Sequence, residues 1–241
     1  MSRVLPILFN SEMVRAILRE TNPKTATRRA IKGFIPDDAI WGYTIFTPKG
    51  YISCRGTFAD GYGEKFFRLP CQPGNLLYVR ETWCRWYLPH GEWRYEYRAT
   101  SPNGNKRPTG REYDDKWETR PWCPSIHMPK EVARIWLKVT SVRVERLQKI
   151  EIEDAVAEGI TPEDRDRGCS CQWAVDGCLE RPCANRDAYN YERYINPFMK
   201  LWDSTIKKSD LDRYGWNANP WVWVIEFERC EKPGGELCGE N

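Results

Sequence analysis

The sequence predicts an α+β fold, in the form of a small mixed β-barrel with flanking helices. Segments with the alternating pattern of strands outnumber segments with helical periodicity. The two kinds of segment also do not alternate regularly, as they would in a parallel sheet built from strand–helix–strand units. A length of 241 residues fits one large domain with inserted loops.

The first third of the chain predicts a strand, a helix and a region of hairpins. Residues 3–9, RVLPILF, form a short apolar run that indicates a strand. Ser11 can cap the helix that follows, in which apolar residues recur at helical spacing. Asn22 and Pro23 stop that helix. Residues 36–75 are rich in Gly, Pro and aromatic residues, which indicates hairpins and loops.

Strands dominate the middle of the chain. A Pro-Gly turn precedes a predicted strand at residues 76–79, and the alternating segment WRYEYRA predicts another. Residues 101–121 are polar and rich in turn residues, so we expect an inserted surface loop there. In residues 133–147 the apolar alternation changes phase near Ser141, which predicts one long bent strand or two strands.

The last third of the chain predicts two helices and a strand. The segment KIEIEDAVAEGI indicates a short helix that ends at Gly159. Residues 187–206 have a helical pattern that Pro197 would kink or interrupt. The segment PWVWVIEFERC indicates a strand, and residues 231–241 read as a disordered tail. We therefore expect a single domain at residues 1–230.

Composition narrows the possible function classes. With 37 basic and 34 acidic residues the formal net charge is +3, less than is usual for a protein that wraps duplex nucleic acid. The chain has no run of about 18 apolar residues and no secretory signal pattern, so we expect a cytoplasmic protein. The 12 tryptophans fit either a core or a surface that stacks on bases.

A dense group of cations and hydroxyls follows the end of the first predicted helix. The stretch NPKTATRRAIKG contains Lys24, Thr25, Thr27, Arg28 and Arg29. One interpretation is a solvated basic turn whose threonines satisfy backbone groups. The other is a site for an anionic or amide-bearing ligand, in which the arginines grip a base or a phosphate.

Several stretches, taken in order, resemble the ASCH domain of the PUA-like superfamily. They are PKTATRR after the first helix, PGNLLYVRETW, RIWLKVTSVRVERLQKIEIEDAVAEGI and NPWVWVIEF. The stretches CPSIHMP and YGWNANPWVWVIEFER are similar to ASCH-type proteins of phages and prophages. The resemblance covers most of the chain and implies a PUA-like barrel with a cleft that is associated with RNA or modified nucleosides. A phage or prophage protein would reside in the cytoplasm of a bacterial host.

One enzymatic branch of this group, the bacterial acetylcytidine amidohydrolases, suggests catalytic residues. The resemblance places Lys24, Thr27 and Glu158 at the branch's lysine, threonine and glutamate positions. Thr27 would be the nucleophile, and a desolvated Lys24 would take its proton. Glu158 would orient Lys24 or protonate the leaving nitrogen. Thr25 would line the site or buttress its loop.

A non-catalytic reader of RNA or modified nucleobases is the alternative function. In a reader, the aromatic residues and arginines would bind the ligand, and loss of Lys24 would weaken affinity without any turnover to lose. The observation that separates the two functions is whether Lys24, Thr27 and Glu158 meet in one pocket, with Thr27 within hydrogen-bond reach of Lys24.

Three more residues are candidates for the ligand site. Arg80 and Glu81, in VRETW, lie at the end of a predicted strand, where they line the pocket or form a structural ion pair. His127, in SIHMP, either faces a ligand from a loop or is an ordinary capped or core histidine.

A cysteine-rich segment at residues 162–186 predicts a metal site. Cys169, Cys171, Cys178 and Cys183 lie within fifteen residues. Four thiolates can enclose a tetrahedral structural zinc, and a cytoplasmic chain keeps its cysteines reduced. Free thiols or a disulfide are the alternatives. We expect zinc to hold this insertion, and we expect no organic cofactor.

Overall fold

A computed structural model describes residues 2–45, 47, 49–87, 93–101, 122–161 and 191–233. The α+β class is confirmed, because several sheets are combined with a few short helices. The predicted barrel is wrong for the described residues, since their strands form three separate open sheets and no closed barrel. The predicted loop at 101–121 beyond its first residue, the cysteine-rich segment and most of the tail lie outside the described residues.

In the described residues ten strands form the three sheets. They are β1 Val4–Leu8, β2 Ala26–Ala30, β3 Ile40–Ile45, β4 Tyr51–Phe58, β5 Gly61–Arg68, β6 Leu76–Arg80, β7 Trp83–Tyr87, β8 Trp93–Tyr97, β9 Trp136–Arg146 and β10 Trp221–Cys230. The largest sheet has the order β1-β6-β9-β10-β2, with β1 parallel to β6 and the other pairs antiparallel. A second sheet has the order β3-β4-β5, and β7 and β8 form a hairpin.

The phase change predicted near Ser141 is a bulge in a single strand. β9 is continuous over its 11 residues, so the alternative of two strands is wrong. Ser141 pairs with Glu226 of β10, but the next residue of β10, Phe227, pairs with Val139. β9 therefore has one extra residue, Thr140, at this point. A bulge of this kind bends the strand and moves the following side chains to the other face.

Four α-helices accompany the sheets in the described residues. They are α1 Ser11–Ile17, α2 Ile152–Ala157, α3 Asn196–Thr205 and α4 Leu211–Tyr214. The cap of α1 is Asn10, not Ser11 as predicted, because the Asn10 side chain accepts a hydrogen bond from the Met13 amide at 2.8 Å. Pro197 does interrupt a helix, since a π-helical turn at Tyr191–Ile195 changes to the α-helix α3 just before it.

Strand β10 is buried on both faces. Trp223, Ile225 and Phe227 point into a main core formed with α1 and the second sheet. Val222 and Val224 point the other way, into a second cluster with α2 and α3. The largest sheet is therefore a layer between two cores. No helix in the described part of the chain is long and apolar enough to cross a membrane.

Candidate functional site

The centre of the site is a buried ion pair between Lys24 and Glu158. Lys24 lies in the segment that joins α1 to β2, and Glu158 is the C-cap residue that follows α2. The Lys24 ammonium donates to Glu158 Oε2 at 2.5 Å and to the Glu158 backbone carbonyl at 2.7 Å. The chain thus brings together two of the three predicted catalytic residues, although 134 positions separate them.

Burial decides the electrostatics of this pair. Lys24 is 2% exposed and Glu158 is 4% exposed. Removal from water lowers the pKa of Lys24, and the nearby Glu158 carboxylate opposes that change without reversing it. The guanidinium groups of Arg29 and Arg28 lower the pKa of Lys24 further. The neutral amine, which can accept a proton, therefore forms at a lower pH than in an exposed lysine.

Arg28 lies beside this pair in a network of carboxylates. Its side chain is fully buried and lies 3.0 Å from Asp154 Oδ2, 3.3 Å from Glu145 Oε2 and 3.6 Å from Glu158 Oε1. Arg143 of β9 contacts Glu145 and Asp154 as well. Arg28 is therefore engaged by protein carboxylates, and the predicted solvated basic turn is wrong. Within the part of the chain that the structure describes, its Nε and Nη1 atoms, and Glu158 Oε1, have no hydrogen-bond partner.

Thr27 and Arg29 lie on the opposite face of β2 from Arg28. Thr27 pairs with Ile225 and Arg29 with Trp223, whereas Arg28 pairs with Val224. Side chains of a strand alternate between faces, so Thr27 and Arg29 share the main core side. Among the described residues the Thr27 hydroxyl forms no hydrogen bond with Lys24, and Thr27 is only 1% exposed.

Phe9 connects Lys24 and Arg29 on that face. Its ring centroid is 5.8 Å from the Lys24 ammonium and 5.4 Å from the Arg29 guanidinium. Arg29 also donates to the backbone carbonyl of Leu8 at 2.6 Å. Burial lowers the pKa of Arg29, and Glu158 opposes that change. Because Arg29 is only partly buried and Leu8 is exposed, this side of the site is open to solvent.

The end of α2 explains how Glu158 reaches Lys24. Gly159 has φ +93° and donates to the Val156 carbonyl, while Ile160 donates to the Ala155 carbonyl. These two bonds form a Schellman cap, for which a left-handed glycine is favoured. A Cβ atom on Gly159 would lie 2.7 Å from Ala16 Cβ and 3.2 Å from Lys24 Cβ. The predicted helix end at Gly159 is confirmed, and the missing side chain allows the Lys24 segment to pack against it.

Thr25 contributes through its backbone. Its amide donates to the Ala157 carbonyl at 2.8 Å, and its carbonyl accepts from the Phe227 amide at 2.8 Å. The two bonds fix the Lys24 segment to α2 and β10, while the Thr25 side chain is exposed. This position fits the buttressing role considered for Thr25.

Arg80 and Glu81 are occupied by structural contacts. Arg134 forms two parallel hydrogen bonds with the buried Glu81 carboxylate, at 2.9 and 3.0 Å. Arg80 donates from Nε to the Met128 carbonyl at 2.8 Å. These bonds support the structural ion-pair interpretation of Glu81, although the partner is Arg134. His127 is exposed in a short turn at Ser125–His127.

Sequence reasoning missed three residues of the site, namely Phe9, Glu145 and Asp154. Phe9 closes the apolar run RVLPILF, so it gave the signal of an ordinary core residue. Asp154 had a signal in the spacing of Glu151 and Asp154, which form a capping box at the start of α2. Glu145 could be connected with Arg28 only through the register of β2, β10 and β9.

Neither a group of metal ligands nor a known relative identifies the function of this site. The described residues contain no group of three or more His, Cys, Asp or Glu side chains placed to hold a metal ion. Cys169, Cys171, Cys178 and Cys183 lie outside the described residues, so the zinc prediction stays a prediction. Comparison of the chain with protein-family models, curated proteins and solved structures finds no match.

Proposed function

We propose that this chain is an ASCH-type, PUA-like amidohydrolase that removes an acyl group from a nucleoside such as acetylcytidine. The observation that carries the proposal is the buried pair of Lys24 and Glu158, in which burial lowers the pKa of the lysine. Burying two charges costs several kcal/mol per ion even when they are paired, so such a pair is weak evidence of a stabilising role. A lysine with a lowered pKa is a candidate general base.

The proposed reaction proceeds through an acyl-threonine. The Thr27 hydroxyl oxygen bonds to the acyl carbon, while neutral Lys24 accepts the hydroxyl proton. The C–N bond then breaks, and Lys24 returns the proton to the leaving exocyclic nitrogen. Water attacks the resulting ester, again with Lys24 as the base, which releases acetate and restores Thr27. Glu158 holds the Lys24 side chain in place throughout.

Arg29 is the better candidate to hold the substrate. Arg28 is fully buried among Glu145, Asp154 and Glu158, so its charge is already matched. Arg29 is only partly buried and shares the face of β2 on which Thr27 lies. Its guanidinium can donate hydrogen bonds to a planar base or to a phosphate. Because Thr27 is buried in this closed arrangement, side chains around Arg29 have to move for a substrate to reach it.

The test is deacetylation of acetylcytidine by the purified protein, followed by chromatography. We expect the wild-type protein to release cytidine and acetate, and Lys24→Ala to lower kcat/KM by a factor of about a hundred or more, as for loss of a general base. Lys65→Ala is the matched control, because Lys65 is exposed and pairs with Asp60 on the surface. A folded Lys24→Ala variant with full activity would refute the proposed base.

The pH profile locates the base independently. A general base acts in its neutral form, so kcat/KM should rise with pH as Lys24 loses its proton, with a midpoint below 10.5. Glu158→Gln removes the carboxylate that raises the pKa of Lys24, so the midpoint should move to lower pH. A midpoint that Glu158→Gln leaves in place would exclude Lys24 as the group that titrates.

A reader of RNA or modified nucleobases is the second candidate. It is favoured by the missing hydrogen bond between Lys24 and Thr27 and by the burial of the Thr27 hydroxyl. In that case acetylcytidine or acetylated RNA would bind without turnover, and Arg29→Ala would weaken binding. Calorimetry with the wild-type protein separates the amidohydrolase from the reader. Heat of binding without formation of cytidine supports the reader.

A further inference from the structure

The second sheet has an unusual outer face. Directly paired residues in an antiparallel sheet lie on the same face, and Phe66 pairs with Ser53, Tyr62 with Thr57 and Ile40 with Arg55. The outer face of β3-β4-β5 is defined by these positions, and it carries Ile40, Tyr43, Arg55, Tyr62, Phe66 and Arg68. The opposite face packs on the main core through Trp41, Ile52 and Phe67.

Large rings on this outer face are open to solvent. Tyr62 is 70% exposed, Tyr43 57% and Phe66 47%. The Tyr43 and Phe66 rings lie edge to face with centroids 6.4 Å apart, across the buried Ser53 of β4. A sheet that covers a core with one face usually presents polar side chains on the other. Exposed apolar groups gathered on one face indicate an interaction surface.

Charged side chains are interleaved with these rings. Arg55 lies between Ser53 and Thr57 on β4, and Arg68 follows Phe66 on β5. Within the three strands the outer face has one carboxylate, Glu64, which pairs with Arg55 at 3.2 Å. Both partners of that pair are solvent-accessible, so a phosphate can compete for Arg55. Asp38, which precedes β3, adds a second carboxylate at the edge, where it accepts a hydrogen bond from the Thr57 hydroxyl at 2.7 Å. Lys49, in the turn that precedes β4, adds another exposed cation at the edge.

We propose that the outer face of β3-β4-β5 binds single-stranded nucleic acid. Aromatic side chains stack on bases without sequence preference, and neighbouring arginines contact the phosphates between them. The core of a protein–protein interface is instead depleted of lysine and glutamate, whereas Glu64 lies among the rings of this face. The proposal does not depend on the candidate site, in which Thr27 lies on β2, the edge strand of the largest sheet, and Lys24 and Glu158 lie in the segments next to β2 and α2.

The test is fluorescence anisotropy with labelled oligouridylate and oligothymidylate of about 12 nucleotides, a length within the range for one such surface. We expect saturable binding that weakens at least about tenfold in the double variant Tyr43→Ala/Phe66→Ala. Tyr191→Ala is the matched control, because that tyrosine is 45% exposed on a different element. Arg68→Ala should reduce the salt dependence by about one counterion.

Two results would overturn this assignment. One is the absence of saturable single-strand binding by the folded wild-type protein, or equal binding by the double variant. The other is a concentration-dependent dimer in sedimentation experiments that Tyr43→Ala/Phe66→Ala dissociates, since it would assign the face to a second copy of the chain. Circular dichroism of the double variant confirms that the exposed substitutions leave the fold intact.

Discussion

At the scale of single residues, Lys24 and Arg28 show how two cations of one motif, four positions apart, acquire different partners. Lys24 bonds to one oxygen of Glu158, and Arg28 lies near the other oxygen. Arg28 has two further carboxylates within reach, Glu145 and Asp154. The Glu158 carboxylate therefore interacts with two cations, and Arg28 interacts with three carboxylates. Removal of one partner leaves a buried charge without full compensation.

We predict strong coupling between Lys24 and Glu158 in stability. Lys24→Met and Glu158→Gln should each lower the free energy of unfolding by about 3–5 kcal/mol, because each leaves a buried charged or polar partner behind. The double variant should lose clearly less than the sum of the two. Urea denaturation at pH 7 measures all three variants.

The exposed pair of Arg55 and Glu64 provides the control for this cycle. Its partners are 60% and 29% exposed, so their coupling should stay below about 1 kcal/mol. Additive effects of Lys24→Met and Glu158→Gln would contradict the pairing described for these residues.

At the scale of elements, alternation was informative wherever a strand was long. The phase change near Ser141 indicated the bulge in β9, and the segment PWVWVIEFERC indicated β10, in which Trp221, Trp223, Ile225 and Phe227 lie on one side. The strands β3, β4 and β5 were not identified individually, because Gly, Pro and aromatic residues there produce the same signal in hairpins and in loops.

The candidate site was predictable only in part for the same reason. Lys24 and Glu158 are 134 positions apart in the sequence. Their proximity was therefore predicted from the family resemblance and not from periodicity. Alternation within β2 could separate Arg28 from Thr27 and Arg29 in advance. It could not say which face meets α2, because that depends on the register of three strands.

We predict that Gly159→Ala disturbs the site more than its backbone strain alone explains. Gly159 and Gly74 both have positive φ, +93° and +83°. A Cβ atom on Gly159 would collide with Ala16 and crowd Lys24, whereas one on Gly74 would meet nothing within 4 Å. Gly74→Ala should cost about 1–2 kcal/mol from the left-handed conformation. Gly159→Ala should cost more, as measured by urea denaturation, and should displace Lys24.

Activity provides a second measurement on the same two variants. If Lys24 is the base, Gly159→Ala should lower deacetylation and Gly74→Ala should leave it close to wild type. Equal losses of stability in the two variants would show that the contact with Ala16 and Lys24 is not limiting.

At the scale of the whole molecule, the spacing of Cys169, Cys171, Cys178 and Cys183 predicts about one zinc per chain. Elemental analysis of purified protein should find that stoichiometry, and Cys178→Ser should reduce it, because three thiolates hold zinc less tightly than four. Cys71→Ser is a control outside the cluster, since Cys71 is a buried thiol whose pKa burial raises to about 12. A metal-free protein that stays folded after treatment with a chelator would contradict a structural zinc.

The position of β10 also has a consequence for biosynthesis. Among the described residues β10 is the last strand in chain order, yet it lies between β9 and β2 and separates the two cores. While the ribosome is still making the preceding segments, β2 and β9 each lack their common neighbour. Neither core can therefore be completed before residues 221–230 have left the exit tunnel. Folding that depends on such contacts between distant segments is slow. Nascent chains that stall before this strand expose unpaired strand edges, which chaperones and other nascent chains can bind.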